Sequence, residues 1–383
     1  MILKKAFYID ITNFVDTKLN TGIQRVLKEF LYLALKDKKL DINLLYFDRN
    51  KNSYILLSNR DKNYLLNKTD SFYLTSKNSI NIFKKTSHKK YFFELDRVWN
   101  SKPNRLTLYK KLKKANFYII NYIYDMIPIF YPKYFYKETR DNFPRYINAI
   151  LRYSNQLFFD SYSCQKDFLK YKDNQNIKRA IKNSVVHLGC DFKLQNNQSI
   201  QTKYTKLLEK RYILFVGTIE PRKKHKELLE VFDKLQKEHM DINLIFIGKF
   251  GWNIENIKSK IQNHKELNKT LFHLEDINDF TLSQFYKNAY LVCYLSNYEG
   301  FGLPVVEALY NNNIVVVSNN SSLKEAGREF VDYIEENKPK ELFKTINSYL
   351  LDNNLYLTKK DFVKTNFKAH SWRDFYKKTT KTL

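Results

Sequence analysis

Tyr212-Ile213-Leu214-Phe215-Val216-Gly217 and Leu244-Ile245-Phe246-Ile247-Gly248 share one form, a short apolar run closed by glycine. A helical stretch lies between them, and Leu291-Val292-Cys293-Tyr294-Leu295 repeats the form shortly before Gly300. Runs this short and this continuously apolar read as strands buried on both faces, and intervening helices imply parallel pairing. The pattern predicts an α/β fold with ligands at the carboxyl ends of its strands.

The first half of the chain has the same texture. Residues 5–11, Ile42 to Phe47, Phe117 to Tyr124, Leu157 to Phe159 and Ser184 to Leu188 read as strands. Asn13 to Thr21 reads as a polar loop, and Gly22-Ile23-Gln24-Arg25 opens a helix that runs to about Leu35. Residues 50–90, rich in Lys, Asn and Ser, are the least legible part and are expected to form a hairpin or a mobile insert. Residues 104–114 make a basic amphipathic helix. The polar stretch from Asp191 to Lys206 reads as a linker, which predicts a first domain over 1–192, a linker over 193–206 and a second domain over 207–364. Residues 365–383, with Trp372 and Phe375, form a terminal helix.

Composition excludes several classes. The 383 residues carry three well-separated cysteines (Cys164, Cys190, Cys293), which fit neither a disulfide scaffold nor a zinc ribbon. Neither a signal peptide nor a spanning helix is visible, so a cytoplasmic protein is expected. The net charge of +26 admits three explanations: codon bias in an AT-rich genome, an anionic membrane face, or nucleic acid. Lysine far outnumbers arginine, whereas nucleic-acid readers depend on arginine's bidentate contacts, so no nucleic-acid partner is expected.

Glycine is the most informative residue here. The chain keeps eight where about 27 would be usual, so the survivors are expected where backbone must adopt positive φ or press against a ligand. The densest segment is Ser296-Asn297-Tyr298-Glu299-Gly300-Phe301-Gly302-Leu303-Pro304-Val305-Val306-Glu307. A strand ends, a loop with two glycines follows, and Pro304 sits near the first helical position. The backbone N–H groups of Phe301, Gly302 and Leu303 would then meet an anion such as a diphosphate at the positive end of a helix. Glu299 precedes this loop and Glu307 is placed in the helix's first turn. Each carboxylate can take two sugar hydroxyls. Gly217-Thr218-Ile219-Glu220-Pro221-Arg222-Lys223 brings cations to the same sheet edge. Cys293 reads as core, and His187 and His370 as structural.

These residues resemble a family. Glu299 to Leu309 is similar to the E-x7-E signature of the retaining glycosyltransferases of family 4, and Gly217 to Lys223 resembles their donor-phosphate motif. Weaker similarities lie at Asn20 to Val26, Tyr124-Asp125-Met126-Ile127-Pro128, Val186 to Asp191, Ser318-Asn319 with Glu325, and Ser371-Trp372. The resemblance implies the GT-B fold: two Rossmann-like domains facing a central cleft, with a C-terminal helix crossing back to the first. It implies a nucleotide-sugar donor held by the second domain. Glu307 would take the ribose diol, Lys223 and Arg222 the diphosphate, and Gly217 and Thr218 the phosphate loop. Glu299 and the backbone of Gly300, Phe301, Gly302 and Leu303 would hold the transferred sugar. Gly22 and Arg25 would approach the phosphates or acceptor, and Asp125 would orient the acceptor hydroxyl, which makes Glu299, Asp125 and Lys223 the expected catalytic set. Thr218 stands where many relatives have Arg, and Tyr124 where they have His.

The expected activity is metal-independent transfer, with retention, of a mannose-type hexose or a deoxyhexose from a GDP-sugar. No cofactor is expected, and the acceptor would be a bacterial surface polysaccharide carried on polyprenyl diphosphate. The alternative is a GT-B protein that binds nucleotide sugar or glycan without turnover. The basic helix around Leu106, Tyr109 and Leu112, with the aromatic segment Ile129 to Tyr136, would serve as a surface for the anionic inner membrane. The competing reading of both is ordinary packing.

Overall fold

The computed structural model describes residues 5–17, 21–67, 74–86, 88–192, 200–238 and 241–381. They divide into two units, Met1–Leu188 with Trp372–Leu383, and Gly189–Ser371. The division falls within the Val186 to Asp191 turn, ahead of the boundary expected after residue 192. Of the expected linker, 193–199 lies outside the described residues, and Thr202–Tyr204 and Thr205–Leu208 are helical turns of the second unit.

Unit 1 begins with β1 (Lys5–Asp10), then α1 (Thr12–Thr17) where a loop is expected, α2 (Gly22–Ala34) and β2 (Leu40–Asp48). The illegible stretch follows as β3 (Ser53–Leu56), α3 (Asn59–Asn67) and β4 (Ser79–Ile80), with 68–73 and 87 outside the described residues. β5 (Lys90–Glu94), α4 (Arg105–Lys114), β6 (Phe117–Ile123), α5 (Ile127–Phe130), α6 (Lys137–Tyr153), β7 (Gln156–Phe159), α7 (Tyr162–Asn174) and β8 (Lys182–Val185) complete it. The sheet order is β4-β3-β2-β1-β5-β6-β7-β8, parallel from β2 through β8. β3 and β4 run antiparallel to their neighbours at one edge, so the stretch is an edge extension of the sheet.

The C-terminal helix, Trp372–Lys381, packs on α2 of unit 1. Phe30 meets Phe375 and Tyr376 at ring-centroid distances of 6.5 and 5.4 Å, and the Tyr376 hydroxyl donates to Asp37 at 2.8 Å.

Unit 2 contains α8 (Thr205–Leu208), β9 (Arg211–Val216), α9 (His225–Glu238), β10 (Ile242–Ile247), α10 (Glu255–Gln262), β11 (Leu271–Leu274), α11 (Asp279–Asn288), β12 (Leu291–Tyr294), α12 (Leu303–Tyr310), β13 (Ile314–Ser318), α13 (Leu323–Gly327), β14 (Asp332–Ile334), α14 (Pro339–Leu351) and α15 (Asn353–Asn366). All its strands are parallel, in the order β11-β10-β9-β12-β13-β14. Apart from Arg211, every residue of β9, β10, β12 and β13 is buried, in keeping with their largely apolar character. Strand order reverses between β9 and β12, and the loops that follow these two strands carry the residues singled out above.

Unit 1 also buries charge. Arg105 of α4 reaches Asp10 at 2.8 Å and Glu94 at 2.9 Å, with all three side chains at most 2% exposed. Tyr109 donates to Glu94 at 2.6 Å and accepts from Asn121 at 2.6 Å, which continues the network into β6. The basic helix is therefore a core element: Tyr109 and Leu112 are fully buried and only Leu106 of the three is exposed. The expectation that these three form a membrane surface fails, because the apolar face of α4 is spent on the sheet. Removing the guanidinium would strand two buried carboxylates, so Arg105→Met should lower the unfolding free energy by about 3–5 kcal/mol in urea titrations.

Candidate donor site

β9 ends at Val216, and Gly217 turns the chain with φ +147. β10 ends at Ile247, and Gly248 turns it with φ +149 so close that a Cβ there would lie 2.2 Å from the Gly217 carbonyl oxygen. Two loops thus pack backbone to backbone, which only glycine allows. After Pro221 the chain returns to the sheet edge: Asn297 N–H donates to the Arg222 carbonyl at 2.8 Å and Lys224 N–H to the Leu295 carbonyl at 3.1 Å. The segment 222–224 is in this way laid against the loop that follows β12.

The side chains join the same two loops. Arg222 is ion-paired with Glu220 at 2.7 Å and with Glu299 at 2.5 Å, and it donates to the Tyr298 carbonyl at 2.7 Å. Tyr294 of β12 donates to Glu299 at 3.1 Å. Burial alone would raise the Glu299 carboxyl, but Arg222 and Lys223 overcome it and hold it below its ordinary range. Burial works against the Arg222 guanidinium too, and the two carboxylates more than offset it. Lys223 lies over the Tyr294 ring at 5.1 Å, with its Nζ against Gly217, where a Cβ would sit 2.6 Å from it. Burial pulls the Lys223 amine down, against the pull of Glu299 and Glu220.

Arg222, expected to share the diphosphate with Lys223, is paired with two carboxylates within the protein. Lys223 makes a looser ion-pair contact to Glu220 at 4.0 Å. Sequence reasoning placed Glu220 in the loop without giving it a role, and it missed Tyr294 and Tyr286.

Gly302 caps α12 at φ +100, where a Cβ would lie 2.8 Å from Leu323 Cδ2. Pro304 falls within the first two helical positions, and the leading N–H groups of a helix have no intrahelical acceptor, so the start of α12 suits an anion. Glu307 was placed in the first turn. It lies beyond it because the helix begins at Leu303, and it is 3% exposed with the Tyr286 hydroxyl donating to it at 2.9 Å. The loop after β13 holds the other side: Glu299 N–H donates to Ser321 at 3.0 Å and Ser322 donates to the Glu299 carbonyl at 2.9 Å. Thr218 is half-buried, with its methyl 3.0 Å from where a Cβ on Gly251 would stand.

Gly217, Thr218, Arg222, Lys223, Glu299, Gly300, Phe301, Gly302, Leu303 and Glu307 all belong to unit 2. Gly22, Arg25 and Asp125 belong to unit 1. Gly22 is exposed at the first position of α2 with no positive φ, Arg25 stands on that helix's first turn, and Asn20 lies outside the described residues. Asp125 is half-buried and accepts from the Ile127 N–H at 2.9 Å.

The profile of the family described as glycosyl transferases group 1 matches residues 196–366. The serotype-specific mannosyltransferase WbdA of Escherichia coli is 26% identical over 362 residues, 90% of this chain and 43% of that protein. The O-antigen chain mannosyltransferase B of Escherichia coli is 36% identical over 115 residues, 30% of each chain. The chain thus spans less than half the length of these curated relatives. Among solved structures, Anabaena HepE in complex with UDP-glucose has TM-score 0.67 at 14% identity, over 99% of both chains. Sucrose-phosphate synthase from Thermosynechococcus elongatus has TM-score 0.67 at 15% identity, over 99% of this chain and 98% of that one.

Gly302→Ala should cost about 1–3 kcal/mol, because it places a side chain at positive φ and against Leu323. Chemical denaturation of the variant beside the wild type checks this. The chain has the GT-B fold, and residues 196–366, within its second unit, are similar to the family described as glycosyl transferases group 1.

Proposed function

We propose that the chain transfers a mannose-type hexose from a GDP-sugar to a bacterial surface glycan carried on polyprenyl diphosphate, with retention and without a metal ion. The observation that carries this reading is the Glu220–Arg222–Glu299 cluster with Lys223 and the α12 N-terminus beside it, at the point where strand order reverses. The names of the curated relatives, both mannosyltransferases and one an O-antigen enzyme, support the sugar and acceptor class.

In this reading Glu307 takes the ribose hydroxyls, while Lys223 and the first N–H groups of α12 take the diphosphate. Glu299, held ionised by Arg222, accepts hydroxyls of the sugar. The bond between the anomeric carbon and the diphosphate oxygen breaks as the acceptor oxygen bonds to that carbon on the same face. The acceptor's proton passes to the departing phosphate oxygen. Negative charge then builds on a group already facing a cation and a helix dipole, the arrangement that lowers such barriers most. The aromatic segment Ile129 to Tyr136, where Tyr136 is 59% exposed beside Lys133, is the surface we assign to the anionic inner membrane. No helix among the described residues is long and apolar enough to cross a membrane.

Thermal melts with GDP, UDP, ADP and dTDP test the donor, since a ligand bound only to folded protein raises the melting temperature. GDP should stabilise the wild type and not Glu307→Ala, and turnover of GDP-mannose should survive EDTA. Stabilisation by UDP alone would replace the donor, and loss of turnover on chelation would overturn metal independence.

A further inference from the structure

The unit 1 sheet also reverses its strand order at its first strand, since β1 lies between β2 and β5. The crevice outside the carboxyl ends of such a pair is where open α/β sheets take ligands. Asp96 follows β5 there and is 3% exposed. Its Oδ1 is fully engaged, accepting from the Arg97 N–H at 2.6 Å, from Gln24 at 3.0 Å and from Asn13 at 3.2 Å. Its Oδ2 is buried and has no hydrogen-bond partner among the described residues. Trp99, close by in the chain, packs its ring on Phe143 at 5.1 Å and on Tyr146 at 6.2 Å, and its indole N–H is likewise buried without a partner.

Both residues line one depression, of about 10 Å³, at the ends of β5 and β6. That is the room one oxygen atom needs. Two residues that line the space each leave one polar side-chain atom unpartnered, an acceptor on Asp96 and a donor on Trp99, and such a pair matches a hydroxyl, which donates once and accepts once. A buried polar atom left unpaired is costly, so the pair calls for an occupant. Asp125 lines the same depression, with its Oδ1 accepting from the Ile127 N–H.

We propose that Asp96 Oδ2 and Trp99 Nε1 seat one hydroxyl of the glycan acceptor, the O–H donating to Asp96 and its oxygen accepting from Trp99. The proposal rests on the transferase reading above and shifts the acceptor contact from Asp125 to Asp96. Burial, with Asp10 behind it, pushes the Asp96 carboxyl up to about 6, which leaves it ionised and accepting at neutral pH. A buried water would offer the same hydrogen bonds, and the test separates the two.

Calorimetric titration of the full chain at pH 7.5 with the methyl α-glycosides of mannose, glucose and rhamnose is the experiment. It uses wild type, Asp96→Asn and Trp99→Phe, with GDP titrated in parallel. At least one glycoside should bind the wild type, each variant should bind it at least tenfold more weakly, and GDP affinity should be unchanged. Trp99→Phe keeps the ring packing, so its result stands alone if Asp96→Asn does not fold. Binding that Trp99→Phe leaves intact overturns the proposal. So does a wild type that binds none of the three, which leaves the pair to water. Glycoside binding without GDP binding counts against the donor reading alone.

Discussion

Arg222 stands between Glu220 and Glu299, and the donor site is organised around that guanidinium. Two buried carboxylates this close would repel one another; the guanidinium they share, with Lys223 beside it, makes their presence tolerable. It also ties the loop after β9 to the loop after β12, the two strands between which the sheet order reverses. Lys223 lies beside this cluster, packed over Tyr294 and against Gly217. The position of the amine depends on glycine at 217, and the backbone of 217 depends on glycine at 248.

Unit 1 solves a related problem by different means. Arg105 reaches up from α4 to join Asp10 and Glu94 under the carboxyl ends of β1 and β5. The two carboxylates are on the last residues of those two strands. Each unit therefore places a buried arginine between two carboxylates at its own switch point.

Much of this was legible in the sequence because its strands are buried on both faces. Runs such as Tyr212 to Val216 have no amphipathic alternation to confuse, and the glycines that close them survived a composition that disfavours glycine. β5 was hidden because Lys90-Tyr91-Phe92-Phe93-Glu94 begins and ends in charge, although it is central in the sheet and wholly buried. Its charges are satisfied by distant residues, Glu94 by Arg105 and Lys90 by the carbonyls of Ile82 and Lys84, which no local pattern reveals. The same non-locality hid the ion pairs of Arg222. The sequence placed it beside Lys223, and the fold adds Glu299. Helix α4 misled for another reason: its lysines suggest a surface, while Tyr109 and Leu112 on its other face belong to the core.

The central claim is that the Arg222–Glu299 pair couples the two loops of the donor site. A double-mutant cycle with Arg222→Gln, Glu299→Gln and the pair, read as unfolding free energies, measures that coupling directly. The account predicts that the second substitution costs far less once the first is made, with a coupling of roughly 2 kcal/mol or more. Costs that add within about 0.5 kcal/mol would contradict it, and would mean that the two loops hold their positions without the pair.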